Sequence, residues 1–333
     1  MGTFGAVSLA MGMLTGQAQA GPFTPKSSQG DWSAIRSDRG FVLPKGWLQV
    51  GFGIDHKSST AYRGADGGLR QQPKGMLWQH SKLWLEVEQG FSRRVTLYGR
   101  VPVVRSSLQP ASGNEVTTVA MGDAHAGLRV QPVTADWWDT AVSLDLKVPS
   151  GVEWPAGTGG PGNTESFLTG TGITNLGLHV HGAVRLSGLM KAMSSVGYVR
   201  KFPGIVGYVT ATEGFGNGVI DPGDEWVSET ALVVNPTSYA AISLGARVRA
   251  VGLSEIGTNT DGVRRLSPVQ HSSGTWVDGR AQIALDATEH WSIEAGATID
   301  RAGGDTRPFA HLGLEELSPQ PGVQWSGRLV MRW

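Results

Sequence analysis

Residues 323–333 read Val-Gln-Trp-Ser-Gly-Arg-Leu-Val-Met-Arg-Trp and alternate with a period of two. One face would carry Val323, Trp325, Gly327, Leu329, Met331 and Trp333, the other Gln324, Ser326, Arg328, Val330 and Arg332. Successive side chains of an extended chain point to opposite faces, so this is a strand with one apolar and one charged surface. A soluble sandwich strand also alternates, but it seldom sets two arginines against two tryptophans. Trp325 and Trp333 lie eight residues apart, about 25 Å at a rise of ~3.3 Å per residue. That is near the height of the apolar band between the aromatic girdles of an outer-membrane barrel. The chain ends on the aromatic Trp333, the usual form of the signal read by the barrel assembly machinery.

The same alternation recurs upstream, at 48–55, 95–103, 142–148, 242–249 and 291–300, and less sharply at 76–89, 119–132, 173–187, 190–202, 226–236 and 275–287. Of these, 190–202 shows it least. Short connections near 90–92, 133–135, 188–189, 237–238 and 288–290 take turns with long ones near 58–75, 106–118, 149–172, 203–225, 253–274 and 303–322. Twelve segments joined in this rhythm predict an all-β fold, a transmembrane antiparallel up-and-down β-barrel with both termini periplasmic. The stretch 308–317 reads as outer loop, which keeps the strand number even.

Composition agrees. Charged residues are 17 %, below the usual ~25 %, and the 333 residues include 48 glycines, 12 tryptophans and no cysteine. Mean hydropathy is −0.13, and after residue 20 no stretch is long and apolar enough for a membrane helix. Twenty-eight basic residues balance 28 acidic ones, which argues against a nucleic-acid partner. Without cysteine there is no thiolate nucleophile, disulfide framework or Cys-ligated zinc. Residues 1–20 are apolar and end Ala18-Gln19-Ala20, as a signal peptide does before cleavage, although no Lys or Arg precedes the apolar run. Residues 21–45 read as a polar leader, periplasmic or tucked into the lumen, and 46–333 as the barrel.

Four stretches resemble the outer-membrane transporter family named after the meta-pathway of phenol degradation, a relative of the fatty-acid and hydrocarbon uptake barrels. They are Asp38-Arg39-Gly40 with Pro44-Lys45-Gly46-Trp47-Leu48-Gln49, then Leu97-Tyr98-Gly99-Arg100-Val101-Pro102, Gly122-Asp123-Ala124-His125-Ala126-Gly127-Leu128, and Leu146-Lys147-Val148-Pro149-Ser150-Gly151. Ser150 stands where the family more often has Thr. The resemblance runs in order over 38–333 and implies a closed barrel passing small, often aromatic or hydrophobic, molecules. It supplies no catalytic or ligand-binding residues.

With the apolar faces toward lipid, the polar faces line the lumen. Candidate lining residues are Lys82, Glu86, Arg100, Asp123, His125, Arg129, Asp145, Lys147, His179, His181, Arg247, Arg249, Asp278, Arg280, Glu294 and Arg328. Such charges are tolerated only when hydrated or paired, which predicts a salt-bridged, partly watery interior that either braces the barrel or forms a selectivity constriction. Trp291, Trp325 and Trp333 are candidate membrane-girdle residues, whereas Trp78 and Trp84 share a face with Lys82 and Glu86 and are candidate exceptions. His179 and His181 share a face, but lack the carboxylate and cysteine spacing of a metal site. Gly157–Asn163 is glycine-rich without the Gly-Lys-Ser/Thr ending of a phosphate loop, and Asp221-Pro222-Gly223-Asp224-Glu225 reads as an acidic outer-loop turn. The expected function is a passive bacterial outer-membrane channel for small organic solutes, without cofactor or metal, its partners the lipid bilayer, the solute and the assembly machinery. Alternatives are a barrel enzyme of lipase or protease type, though no Gly-x-Ser-x-Gly elbow occurs, or a structural or adhesive barrel.

Overall fold

Because a backbone in lipid must satisfy its own hydrogen bonds, a membrane-crossing sheet has to close on itself. The computed structural model of the chain describes residues 41–59, 61–63, 69–71, 77–109, 116–151, 173–210, 214–260, 263–268, 273–288, 290–303 and 323–333. The wall strands are β1 (Leu48–Ser59), β2 (Leu77–Ser92), β3 (Val95–Gln109), β4 (Val116–Met121 and Ala124–Thr134), β5 (Trp138–Val148) and β6 (Asn175–Arg185). The other half is β7 (Met190–Lys201), β8 (Glu225–Thr237), β9 (Ala240–Val251), β10 (Gly274–Asp286), β11 (Trp291–Gly303) and β12 (Val323–Arg332). Each pairs antiparallel with its neighbours in sequence, and β12 pairs with β1 from Gln49↔Arg332 to Lys57↔Gln324, closing the barrel. The two parts of β4 lie on the same side of β3 and form one strand interrupted at Gly122-Asp123. Among the described residues no helix is long and apolar enough to cross a membrane.

The closed wall has its apolar side outside. Leu83, Leu85, Leu178, Val180, Leu244, Ile293 and Trp325 are exposed, whereas Glu86, Asp139, Lys191, Asp278, Glu294 and Arg332 are buried. That inverts the polarity of a soluble domain and is the polarity of a membrane-spanning barrel. Exposed aromatic side chains edge the wall at both ends. Phe91, Trp137, Tyr239, Trp291 and Trp333 lie at the end of the short turns, and Trp226 and Trp325 toward the long loops. At 137–138 it is Trp137 that is exposed, with Trp138 half-buried.

Hydroxyl groups close the short turns. Ser92 accepts the N–H of Arg94, Ser187 that of Leu189, Thr237 that of Tyr239, and Thr288 those of His290 and Trp291. A Ser or Thr side chain that binds the backbone two residues on stabilises a tight reversal. The first and last strands meet at this end, where Leu48 and Trp333 exchange both backbone hydrogen bonds.

Two of the long connections are more ordered than their sequence suggests. Gly204–Thr210, Gly214–Asp221, Glu255–Thr260 and Val263–Pro268 form a four-stranded sheet that continues β7 to β10 past interruptions in the strands. One interruption is stitched by Gly252 N–H to Asp224 O (2.8 Å) and Gly223 N–H to Ser254 Oγ (3.2 Å). Asp224 and Glu225, within the acidic turn, are held by cations: Arg200 reaches Asp224 at 2.7 Å and Lys201 reaches Glu225 at 3.1 Å. Residues 1–40, the Gly157–Asn163 loop and 308–317 lie outside the described residues, as do the side chains of Trp78, Trp276 and Asp300.

Candidate functional site

The interior face is built by cross-strand pairing, which brings directly opposed side chains within contact. Glu86 on β2 opposes Arg100 on β3, and the guanidinium Nε donates to Glu86 at 2.8 Å. Arg328 on β12 also donates to Glu86, although β1 lies between their strands. It can cross because β1 carries Gly51 there; a Cβ at 51 would sit 2.9 Å from Arg328 Nε. Glu294 on β11, opposite Arg328, adds a further carboxylate at 3.5 Å. An ionic arc therefore runs Glu294–Arg328–Glu86–Arg100 across four strands and over a fifth. Trp84 lies beneath it, with Arg100 4.3 Å and Arg328 5.5 Å from its ring centroid. These are cation–π distances, and Trp84 is an interior residue, not part of the girdle.

A second arc spans β8 to β10. Asp278 is fully buried and takes Arg247 through Nε at 2.9 Å and Arg249 at 3.4 Å. Arg280 on β10 bonds Glu229 on β8 across β9, where Gly245 is its direct partner. Toward the loops Lys147 meets Asp123 at 3.0 Å, and half-buried His125 pairs across the strands with both Arg100 and Lys147. Lys82 lines a cleft of about 220 Å³ with Asp55, Lys57, His80 and Gln324.

Three aromatic side chains share a packing rule that explains part of the glycine content. Trp84, Tyr98 and His179 each face a glycine on the neighbouring strand: Gly53, Gly127 and Gly197. A Cβ at those glycines would come within 2.1, 2.5 and 1.9 Å of the ring opposite. The rings lie flat against bare backbone, which draws them against the wall instead of across the lumen.

The histidine pair belongs to a third cluster. His179 and His181 stack at 6.2 Å, and His179 stands 3.7 Å from Asp145. Asp145 also accepts from Tyr98 and from Ser143 (3.1 Å), and Ser143 Oγ lies 3.0 Å from His181 Nε2. A hydroxyl has one proton to give; with Ser143 donating to Asp145, Nε2 of His181 is the N–H donor. The serine therefore bridges the acid and the imidazole, whereas in a hydrolytic triad the imidazole stands between the other two.

The interior is unequal along its axis. Around the ionic arcs Arg100, Arg280 and Arg249 keep about a third of their side-chain surface exposed. At the short-turn end the space is full: Thr96, Gln131, Asp139, Lys191, Val233, Ala241, Ala284, Ser292, Val330 and Arg332 are all buried. Arg332 bonds Gln49 at 3.0 Å and Ser292 at 2.8 Å, and Arg185 bonds Asp139 at 3.1 Å. Residues 41–43 enter this layer. Phe41 and Leu43 are buried, Phe41 and Val42 N–H both donate to Gln131 Oε1 (3.0 and 3.2 Å), Leu43 N–H donates to Thr96 Oγ1 (2.7 Å), and Arg129 holds Phe41 O (2.9 Å). Gln131 Nε2 donates to Thr134 and Asp139, fixing the amide with its oxygen toward the leader. Among the lining candidates, the reading from sequence omitted Glu229 and Lys191, which the strand phase of β8 and β7 contains, and Gln131, an uncharged residue that gave no signal.

No family model matches the sequence, and no curated protein matches it. Among solved structures the chain is similar to an outer membrane channel from Pseudomonas putida F1, with a TM-score of 0.64 at 12 % identity, over 91 % of this chain and 99 % of that one. The Pseudomonas putida toluene transporter TodX gives 0.45 at 7 % identity over 86 % and 88 %. The NanC porin gives 0.44 at 6 % over 85 % and 98 %. At these identities the first likeness shows a shared fold, the closed antiparallel barrel already described.

Proposed function

We propose that the protein is a passive channel of a bacterial outer membrane for small organic solutes, with the residues of the ionic arcs and the histidine cluster lining its lumen. The observation that carries this reading is the inverted polarity of a closed barrel, apolar outside and charged inside. A wall that only had to be stable in lipid has no need of Glu86, Glu294, Asp278 and their arginines in its centre, since buried ion pairs seldom stabilise more than apolar packing would. Opposed acids and bases lining a lumen orient and sort solutes in transit. In keeping with that role, residues 1–20 act as an export signal, both termini lie in the periplasm, and Trp333 is read during assembly. The motifs at 38–49, 97–102, 122–128 and 146–151 support kinship with the phenol meta-pathway transporters. The order of groups in the Ser143 cluster supports a channel over a hydrolase.

The test is flux. Protein reconstituted into liposomes is expected to pass small organic solutes faster than empty vesicles do, and to give discrete conductance steps in planar bilayers. Absence of flux for every solute tried, from protein shown to be folded by heat-modifiable gel migration, would overturn the reading.

A further inference from the structure

We infer that the slot filled by Phe41 is a binding site for an aryl-alkanoate anion, with the leader's own phenylalanine as its resident occupant. The inference rests on the channel reading and names the solute class for which that channel has an affinity site. The slot is specific on three sides. Its floor is made by Ala141 on β5 and Ala183 on β6, whose small side chains leave the depth of one ring, and Met193 packs beside them. The His181 ring stands 5.7 Å from the Phe41 ring, tilted by 37°, and the Lys191 ammonium lies 5.9 Å from its centroid. A cation near an aromatic face favours a ring over an aliphatic group of equal size. At the third side Arg129 Nη1 donates to the Phe41 carbonyl oxygen at 2.9 Å.

The covalent structure of phenylalanine then sets the ligand. Its ring and carbonyl carbon are separated by two carbons, Cβ and Cα, so 3-phenylpropanoate places the same ring in the slot and a carboxylate oxygen at Arg129. A carboxylate makes the stronger, charge-assisted bond to a guanidinium than an amide carbonyl does. A neutral aromatic hydrocarbon fills the ring position but leaves the Arg129 donor without its acceptor, the kind of loss by which a polar site rejects an analogue. Phe41 occupies the site until solute or withdrawal of the leader displaces it, so the intact protein shows a lowered apparent affinity.

The experiment uses the full chain folded in detergent micelles, with folding of every variant checked by heat-modifiable migration. Titration with 3-phenylpropanoate is expected to show Phe41→Ala binding about tenfold tighter than the unaltered protein. Adding Arg129→Gln is expected to cost about tenfold again, and propanoate or 3-phenylpropanol to bind more weakly by a similar factor. Equal affinity of Phe41→Ala and the unaltered protein, or no effect of Arg129→Gln, overturns the assignment. If Phe41→Ala does not fold, the absence of cysteine from the chain allows a second route. A single Val42→Cys is expected to react faster with maleimide when 3-phenylpropanoate is present, because the ligand expels the leader; an unchanged rate overturns the site. A barrel that binds the acid yet conducts nothing sinks the channel reading alone, and one that conducts but fails both binding tests sinks the site alone.

Discussion

The two ends of the barrel interior use polar side chains in opposite ways. At the short-turn end polar groups are packed to full burial and held by fixed partners, as Arg332 is through Nε by Gln49 and through Nη2 by Ser292. Farther up, Arg100, Arg249 and Arg280 of the ionic arcs remain about one-third exposed. Each charge buried in the first layer needs a partner, because an unanswered buried charge costs several kcal/mol. In the second layer the carboxylates Glu86, Asp278 and Glu294 are buried while several of their arginines keep exposed surface, so only pairs exposed on both sides, such as Glu229–Arg280, contribute little to stability. Under the proposed channel function, the barrier to passage lies at the turn end, where Phe41 and Leu43 complete the packing.

The largest effect is expected where the polar groups are most deeply buried. Arg332→Met strips Gln49 and Ser292 of a shared buried donor and should lower unfolding free energy by about 3 kcal/mol, read by urea denaturation in micelles. Next, Gln131→Leu removes the acceptor of two leader N–H groups at about 1 kcal/mol each. That shifts the docked-to-undocked ratio of the leader roughly thirtyfold, and conductance in planar bilayers should rise; losing the amide donor to Asp139 and Thr134 should lower barrel stability by about 1–2 kcal/mol as well. In the second layer, Glu229→Gln breaks an ion pair that is about one-third exposed on both sides. Its cost should stay below about 1 kcal/mol, while the reversal potential in a salt gradient moves toward anion selectivity.

The smallest effect lies outside the membrane wall. Burial pushes Asp224 upward, but hydrogen bonds from Tyr198, Arg200 and the Lys201 N–H outweigh it and hold its carboxyl below the usual range. A carboxyl lowered on folding stabilises fully above its unfolded value and loses that contribution as pH falls through the folded one. The paired strands 204–210 and 214–221 are thus expected to become more susceptible to an acid protease below about pH 4, and Asp224→Asn to show that susceptibility at every pH.

The strands were legible because each has two faces of different polarity, and all twelve wall segments follow from that alternation. The extension sheet was not, since runs such as Gly204-Ile205-Val206-Gly207-Tyr208-Val209 lack a period of two. Within the site, Glu86 with Arg100 follows from strand phase, because the two oppose each other on consecutive strands. Glu86 with Arg328 does not, being 242 residues apart and joined only through closure over Gly51. The docking of Phe41 on Gln131 spans 90 residues and uses backbone N–H groups that carry no sequence signal.

Cysteine reactivity inside the barrel tests the placement of the barrier most directly. The cysteine-free chain permits Gln324→Cys at the loop end and Ala183→Cys beneath Phe41, each treated with a bulky maleimide in bilayer vesicles. Gln324→Cys should react quickly, Ala183→Cys slowly, and the second should approach the first once Gln131→Leu is added. Rapid labelling of Ala183→Cys beneath an intact leader, or no acceleration by Gln131→Leu, would contradict it.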